Sequence, residues 1–177
     1  MKVFIGCASS DEIPDIYFEE SKKTINYLLK NNDLLFGAYD KGLMNLCKDT
    51  ALNNRNKVIG VSPKIYENDL NTANYNEKIL VDGILDRTKK LIKDSDIIVF
   101  LPGGIGTINE LFASIDMKRS GEINKPIIIY NINHYYDKLF DFLDTLYNEK
   151  FTSSEVKDIY QIFNNLEDSI EFLNSVL

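Results

Sequence analysis

The sequence predicts an α/β fold in which a doubly wound parallel sheet carries helices on both faces. One observation is that short apolar runs alternate along the chain with longer segments whose apolar residues recur at helical spacing. A second is that several runs are apolar throughout, which is typical of strands buried on both faces. A third is the length of 177 residues, which suits one domain with a packed core. We therefore expect residues 1–177 to form a single Rossmann-like domain.

The first half of the chain predicts three strands and two helices. The apolar runs expected to form strands are Val3 to Cys7, Leu34 to Gly37 and Val58 to Val61. The expected helices are Tyr17 to Lys30, with Phe18, Ile25, Leu28 and Leu29 on one side, and about Gly42 to Asn54. The segment from Ser62 to Tyr75 is rich in Asn and contains Pro63, so we expect a loop there.

The second half predicts three further strands and four helices. The expected strands are Lys78 to Val81, Asp96 to Leu101 and Pro126 to Tyr130, of which Asp96 to Leu101 has the longest apolar run. The expected helices are about Gly83 to Lys93, Thr107 to Ser120, a segment with one apolar face from Tyr136 to Tyr147, and Leu166 to Leu177. Gly121 is a plausible C-terminal cap for the second of these helices.

Composition excludes several classes of partner. The chain has 20 Lys and Arg against 27 Asp and Glu, a formal charge of -7, with no basic cluster, which argues against nucleic acid. The chain opens on an apolar run without a cleavable signal, and no apolar stretch reaches the roughly 18 residues of a membrane span. We therefore expect a cytoplasmic protein with no membrane partner.

The inventory of reactive side chains is small. Cys7 and Cys47 lie 40 positions apart without CxxC spacing, so we expect buried free thiols rather than a disulfide or a zinc site. His134 is the only histidine and is expected in a solvated loop. A metal site with two histidines is thereby excluded, and we expect neither a metal nor a cofactor.

Glycines cluster where predicted strands end, and the segment Leu101-Pro-Gly-Gly-Ile-Gly-Thr-Ile-Asn-Glu110 holds three of them. Bare backbone N–H groups at a helix start form a cradle for an anion, to which the Thr107 hydroxyl could add a donor. A Walker A loop needs Lys before the Thr, and a dinucleotide fingerprint needs Gly in place of Asn109. The pattern therefore disfavours a nucleoside triphosphatase and an NAD enzyme.

The neighbouring residues alone do not decide the roles of two charged residues, Glu110 and Arg87. Thr107 and Glu110 have the spacing of a capping box, in which both side chains merely bind the helix's own N–H groups. The apolar stripe of that helix points away from Glu110, so its carboxylate could instead face a crevice. Arg87 flanks the apolar stripe of the preceding helix, a position typical of a surface residue with a buried stem.

Arg87, followed after 15 residues by Pro102-Gly-Gly-Ile-Gly-Thr-Ile-Asn-Glu110, resembles the LOG family, whose pattern is Arg-Lys followed by PGGxGTxxE and which was long mislabelled as lysine decarboxylases. The resemblance extends from about Lys2 to Phe151. Further matching segments are Cys7-Ala-Ser-Ser10, Gly42-Leu-Met44, Val58-Ile-Gly-Val-Ser-Pro63, Lys125-Pro126 and Tyr135-Tyr136.

This resemblance implies a phosphoribohydrolase that cleaves the N-glycosidic bond of a purine nucleoside 5′-monophosphate, with or without an N6 substituent. It implies Arg87 and Glu110 as the catalytic pair, and it implies a homodimer. The residues that it implies at the phosphate and substrate are Gly103, Gly104, Ile105, Gly106, Thr107, Thr88, Asp116, Ser9 and Ser10.

The departures from the family pattern leave the substrate open. Thr88 replaces the usual Lys, Asp116-Met117 replaces Thr-Trp, and Ala38 replaces a second glycine. AMP, a pyrimidine nucleotide or an unusual nucleotide are all compatible substrates. Two other functions also remain: a nucleotide sensor without turnover, and a transferase that passes a ribosyl or deoxyribosyl group to another base. Retention of both Arg87 and Glu110 favours the hydrolase.

Overall fold

The computed structural model describes residues 1–68 and 75–177, and these contain a parallel sheet of seven strands in the order β4-β3-β2-β1-β5-β6-β7. The strands are β1 (Lys2–Gly6), β2 (Asp33–Phe36), β3 (Val58–Pro63), β4 (Glu77–Val81), β5 (Ile97–Phe100), β6 (Ile127–Tyr130) and β7 (Gln161–Phe163). The helices are α1 (Asp15–Leu28), α2 (Gly42–Asn53), α3 (Ile84–Asp94), α4 (Ile105–Arg119), α5 (Asp137–Asn148) and α6 (Ile170–Val176).

Alternate residues of the central strands supply two separate cores. Val3 and Ile5 of β1 pack in one core with residues of α1, α2 and α6. Phe4, between them, packs in the other core with residues of α3, α4 and α5. Each face of the sheet is therefore covered by helices, which confirms the doubly wound architecture and explains why the strands are apolar at successive positions.

The order of the strands reverses between β1 and β5. From β1 the chain proceeds outward through β2 and β3 to β4, and it then returns to β5 on the other side of β1. The loops that leave neighbouring carboxyl ends at such a point diverge and leave a crevice between them. A ligand site is therefore expected beyond Gly6 and Phe100, where these two strands end.

The main differences from the expected elements lie near the ends of the sheet. Strand β7 was not expected, because it has three residues and no fully buried position. Strand β3 continues to Pro63, and a single 3-10 turn follows at Lys64–Tyr66, where the whole segment from Ser62 onward was expected to be a loop. Residues 69–74 of that expected loop lie outside the described residues.

Two expectations for individual side chains are confirmed. Cys7 and Cys47 are buried free thiols. His134 lies in the short turn that follows β6, with its side chain exposed and Nδ1 at 3.1 Å from Asp137 Oδ2.

Within residues 1–68 and 75–177, no helix has both the length and the apolar character needed to cross a membrane.

Candidate active site

A cavity of about 410 Å³ lies beyond the carboxyl ends of the central strands. Its volume is in the range of small-molecule sites. Residues from six parts of the chain line it: the ends of β1, β2 and β3, helices α2 and α3, and the first turns of α4. The lining residues are Cys7, Ser9, Gly37, Ala38, Tyr39, Met44, Ser62, Tyr66, Arg87, Gly104, Ile105, Gly106, Thr107 and Glu110.

One wall of the cavity is the segment Leu101–Thr107, here called the glycine loop. Helix α4 begins at Ile105 with Gly104 as its N-cap residue. The first N–H groups of a helix have no carbonyl partner within the helix, and they carry its positive dipole end. Gly104, Ile105, Gly106 and Thr107 all line the cavity. The geometry is that of an anion site at a helix N-terminus.

Thr107 has a different role from the one expected. Its hydroxyl donates a hydrogen bond to the Cys7 carbonyl at 3.1 Å, so that proton is not available as a donor to a ligand. Its side chain also packs against Gly103, where a Cβ would lie 2.2 Å from Thr107 Oγ1. Thr107 therefore fastens the start of α4 to the end of β1.

Arg87 and Glu110 meet at the floor of the cavity. Arg87 Nη2 donates to Glu110 Oε1 at 3.0 Å, joining α3 to α4. Among the residues that the structure describes, Arg87 Nε is buried without a hydrogen-bond partner. Arg87 Nη2 lies 3.9 Å from a Cβ built at Gly106, so the guanidinium charge is close to the start of α4 and favours an anion there.

The ion pair excludes the capping-box interpretation. In a capping box, Thr107 would be the N-cap residue and Glu110 would accept from its N–H group. The N-cap residue of α4 is instead Gly104, three residues earlier, and the Glu110 carboxylate binds Arg87.

Small residues make room for this pair. A Cβ at Gly6 would lie 3.2 Å from Glu110 Oε2 and only 2.7 Å from the Phe100 ring. A Cβ at Gly37 would lie 3.6 Å from Arg87 Nη1. The glycines that end β1 and β2 thus allow the backbone to approach the charged groups closely.

Burial controls the protonation of Glu110. Its side chain is 2% exposed. Removal from water raises the pKa of Glu110 to about 7, although the adjacent Arg87 charge and hydrogen bond lower it. A carboxyl group with such a pKa exchanges a proton near neutral pH, which is suited to acid–base or electrostatic catalysis.

The chain resembles known proteins over most of its length. Residues 44–173 match the family model described as "Possible lysine decarboxylase". The cytokinin riboside 5′-monophosphate phosphoribohydrolase LOG4 of Arabidopsis thaliana is 31% identical over 160 residues, which are 89% of this chain and 74% of LOG4. The chain belongs to the LOG family.

Another relative of this LOG-family chain covers almost all of it. The probable cytokinin riboside 5′-monophosphate phosphoribohydrolase LOGL6 of Oryza sativa subsp. japonica is 28% identical over 98% of this chain and 70% of LOGL6. Among solved structures, the molybdenum cofactor binding protein of Rippkaea orientalis has a TM-score of 0.70 and 18% identity, over 99% of this chain and 96% of that one. That likeness shows the fold alone.

The decarboxylase wording of the family model finds no support in the cavity. No lysine is among the described lining residues. A pyridoxal-phosphate decarboxylase would need one to hold its cofactor as a Schiff base.

The structure places most, though not all, of the residues expected from the LOG-family pattern at the cavity. Arg87, Glu110, Ser9 and the segment Gly104–Thr107 line it. Four expected residues do not line it, namely Gly103, Ser10, Thr88 and Asp116.

Each of these four residues has other contacts. The Gly103 carbonyl accepts from the Tyr135 hydroxyl, and the Ser10 hydroxyl accepts from the Glu12 N–H group. Thr88 is buried beside Asn109, because one step along α3 from Arg87 turns its side chain away. Asp116 is exposed and paired with Arg119 on the surface of α4. The side chain of Asp116 therefore contributes to the surface, whereas Arg87 and Glu110 face the cavity.

The sequence reasoning missed the wall opposite the glycine loop. Tyr39, Ser62 and Tyr66 lie just after β2, near the end of β3 and in the 3-10 turn after it. They form no local motif and meet only because β2 and β3 are neighbours in the sheet. The available signal was their position at carboxyl ends of predicted parallel strands.

Proposed function

We propose that this chain is a phosphoribohydrolase, which cleaves the N-glycosidic bond of a purine nucleoside 5′-monophosphate, with or without an N6 substituent. The proposal depends chiefly on one observation: the buried Arg87–Glu110 ion pair faces the same cavity as the open N-terminus of α4. The printed names of LOG4 and LOGL6 support it, since both describe phosphoribohydrolases of cytokinin riboside 5′-monophosphates.

The reaction consumes one water. The bond between C1′ and the base nitrogen breaks, the water oxygen bonds to C1′, and one water proton ends on the departing base. Free base and ribose 5-phosphate are the products. Positive charge develops on the ribose as the bond breaks, and the ionised Glu110 carboxylate stabilises that charge or carries the one proton that the attacking water loses to the base, while the other water proton stays on the new 1′-hydroxyl group.

The arrangement of the cavity supports one orientation of the nucleotide within this proposal. The 5′-phosphate binds the N–H groups at Gly104 to Thr107, and the Arg87 guanidinium, whose Nη2 lies 3.9 Å from a Cβ built at Gly106, contributes its charge. The base lies on the opposite wall, where Tyr39, Met44 and Tyr66 offer apolar and aromatic surface. Neither metal nor cofactor has a step in this scheme.

A panel of nucleoside monophosphates tests the proposal. AMP, an N6-substituted AMP and a pyrimidine monophosphate are each incubated with purified protein, and base and ribose 5-phosphate are measured by chromatography. We expect equal amounts of both products from a purine nucleotide. Binding without release of base from any nucleotide would contradict the hydrolase and support a sensor. Release that requires an added acceptor base would support a transferase.

The dependence of the rate on pH tests the role of Glu110 separately. Since the ionised carboxylate is the acting form, kcat/KM is expected to rise with pH and to level off above the pKa of about 7. A rate that falls as pH rises through this range would show that the protonated acid is the acting form.

We also propose a single-domain cytoplasmic protein that forms a homodimer and has no nucleic-acid or membrane partner. Support for the dimer comes from exposed apolar side chains at or near cavity-lining residues: Ile105 lines the cavity, Ile65 precedes Tyr66, and Leu85 lies two residues before Arg87, with 84%, 77% and 75% of their surface exposed. Such a patch favours a protein interface. Light scattering that gives only the monomer mass would contradict the dimer.

A further inference from the structure

Two tyrosines support the glycine loop from the side opposite the cavity. They are Tyr135 and Tyr136, which follow the 3-10 turn Ile132–His134 after β6, and neither lines the cavity. The Tyr136 hydroxyl donates to the Leu101 carbonyl at 2.8 Å, and the Tyr135 hydroxyl donates to the Gly103 carbonyl at 2.7 Å. Residues distant in sequence therefore fix the loop on which the phosphate site depends.

Three successive carbonyl groups of the loop each have a partner. Between the two tyrosine contacts, the Pro102 carbonyl accepts from the Ala8 N–H group at 3.0 Å. Because the carbonyl and N–H groups of a peptide share one plane, a fixed carbonyl also fixes the N–H group that follows it. The orientation of each of these peptide planes is thus determined by a group outside the loop.

The peptide between Gly103 and Gly104 matters most for an anion. It is trans, so its carbonyl and its N–H group point in opposite directions. The carbonyl points to Tyr135, and Gly104 lines the cavity. Holding the Gly103 carbonyl therefore keeps the Gly104 N–H group available to the bound phosphate.

Tyr135 is itself held firmly by its neighbours. Its ring packs edge-on against Tyr17 of α1 at a centroid distance of 5.5 Å and against Tyr136 at 4.8 Å. The Asn131 side chain accepts from the Tyr136 N–H group at 2.7 Å. Asn133 and His134 both have positive φ, an uncommon conformation that leads the chain to this position.

We propose that Tyr135 is a positioning residue for the substrate phosphate, acting through the Gly103 carbonyl to orient the Gly104 N–H group. This inference rests on the proposed function for the identity of the substrate. Tyr135 does not contact the reacting bond in this account, so its hydroxyl contributes to phosphate affinity and not to the chemical step.

The test compares wild type with Tyr135→Phe, which keeps the ring packing and removes only the hydroxyl. The Tyr135 side chain lies near the surface, so the variant is expected to fold. Loss of one hydrogen bond is expected to raise KM for AMP and Kd for inorganic phosphate by about 3- to 10-fold, while kcat changes less than about twofold. Steady-state kinetics and calorimetry with inorganic phosphate give these values.

Tyr147→Phe is the matched control. The Tyr147 hydroxyl also makes one buried hydrogen bond, to the Tyr160 hydroxyl at 3.0 Å, and neither residue lines the cavity. This variant is expected to lose stability but to keep KM and the phosphate Kd of wild type. If it raises both values as Tyr135→Phe does, the effect is general loosening and the inference fails.

The outcomes separate this inference from the function on which it rests. Tyr135→Phe with unchanged KM and phosphate Kd, alongside wild type that hydrolyses AMP, overturns the inference and leaves the function standing. Wild type that releases no base from any nucleotide overturns the function. The phosphate Kd of the two proteins then still decides whether Tyr135 positions the loop.

Discussion

Glu110 has the residue-scale environment that most constrains the chemistry. Its carboxylate is almost fully removed from water and is stabilised chiefly by Arg87 at 3.0 Å. Removing either partner would leave the other charge in the cavity floor without its partner, which is costly in a buried site. Arg87→Ala is therefore expected to change both the protonation of Glu110 and the reaction rate. The two residues act as one unit.

The raised pKa of Glu110 predicts a dependence of stability on pH. The folded state binds this proton more tightly than the unfolded state, whose carboxyl has a pKa near 4.5. The contribution of Glu110 to the unfolding free energy is therefore fully present below that pH and is lost as pH rises to about 7, by about 3 kcal/mol. Urea unfolding of wild type and Glu110→Gln across this range measures the difference. A wild type that gains stability over the variant as pH rises would contradict the assignment.

The backbone conformation of Ala38 predicts that a substitution to Gly stabilises the fold. Its φ is 57°, in the left-handed region that costs a residue with a Cβ about 1 kcal/mol or more. Ala38→Gly removes this strain but gives the unfolded chain more freedom, so a net gain of roughly 0.5 kcal/mol is expected in the unfolding free energy. Arg55→Gly is the control, because Arg55 has a φ of 62° outside the cavity. If Arg55→Gly gains stability and Ala38→Gly does not, the positive φ of Ala38 does not destabilise the folded state and the prediction fails.

At the scale of elements, the junction between β5 and α4 combines close packing with an open face. The loop packs tightly against the Thr107 side chain of α4 at one position and faces open space at the next. At Gly103 an added Cβ would collide with the Thr107 side chain, whereas at Gly104 nothing lies within 4 Å of it. Sequence alone identified the glycines but could not assign these different requirements, because the collision depends on the rotamer and contact of Thr107 with Cys7.

The contacts of the glycine loop predict different changes in the unfolding free energy for two adjacent substitutions. Gly103→Ala is expected to destabilise the fold by about 1–3 kcal/mol, since it must displace Thr107 from its contact with Cys7. Gly104→Ala is the matched control and is expected to alter the unfolding free energy by less than about 0.5 kcal/mol. Thermal unfolding of both variants gives the comparison. Equal stabilities would show that the tight contact at Gly103 relaxes without cost.

The same element shows where sequence prediction reaches its limit. The strand and the helix were both predicted, but α4 begins at Ile105 and not at Thr107. The Thr-x-x-Glu spacing moved the expected boundary, because capping preferences act locally whereas Thr107 and Glu110 make contacts to β1 and α3. The contacts with β1 and α3 decided whether Thr107 and Glu110 cap the helix or face the cavity, a choice that their spacing alone had left open.

On the scale of the whole molecule, the reversal of strand order creates the site. The apolar runs predicted six of the seven strands and the helices on both faces, since periodicity follows directly from burial. Strand β7 was missed because three residues are too few to show a period. Tyr39 and Tyr66 were missed because their meeting depends on strand neighbours and not on a motif.

The acidic surface of the protein affects where a phosphate can bind. A chain with a formal charge of -7 repels phosphate over most of its surface. Attraction is therefore confined to one helix N-terminus and one buried arginine at the same cavity. The local geometry of this cavity, and not the net charge, determines whether a nucleotide binds.

Release of ribose 5-phosphate by wild type and Glu110→Gln, with thermal unfolding of both proteins measured alongside, tests the central claim most directly. AMP and an N6-substituted AMP serve as substrates at pH 8, where the Glu110 carboxyl is ionised in wild type. We expect Glu110→Gln to release ribose 5-phosphate about 100- to 1000-fold more slowly than wild type, with the fold retained. A Glu110→Gln protein that is fully active but unfolds early would contradict the claim, because Glu110 would then serve the fold and not the reaction.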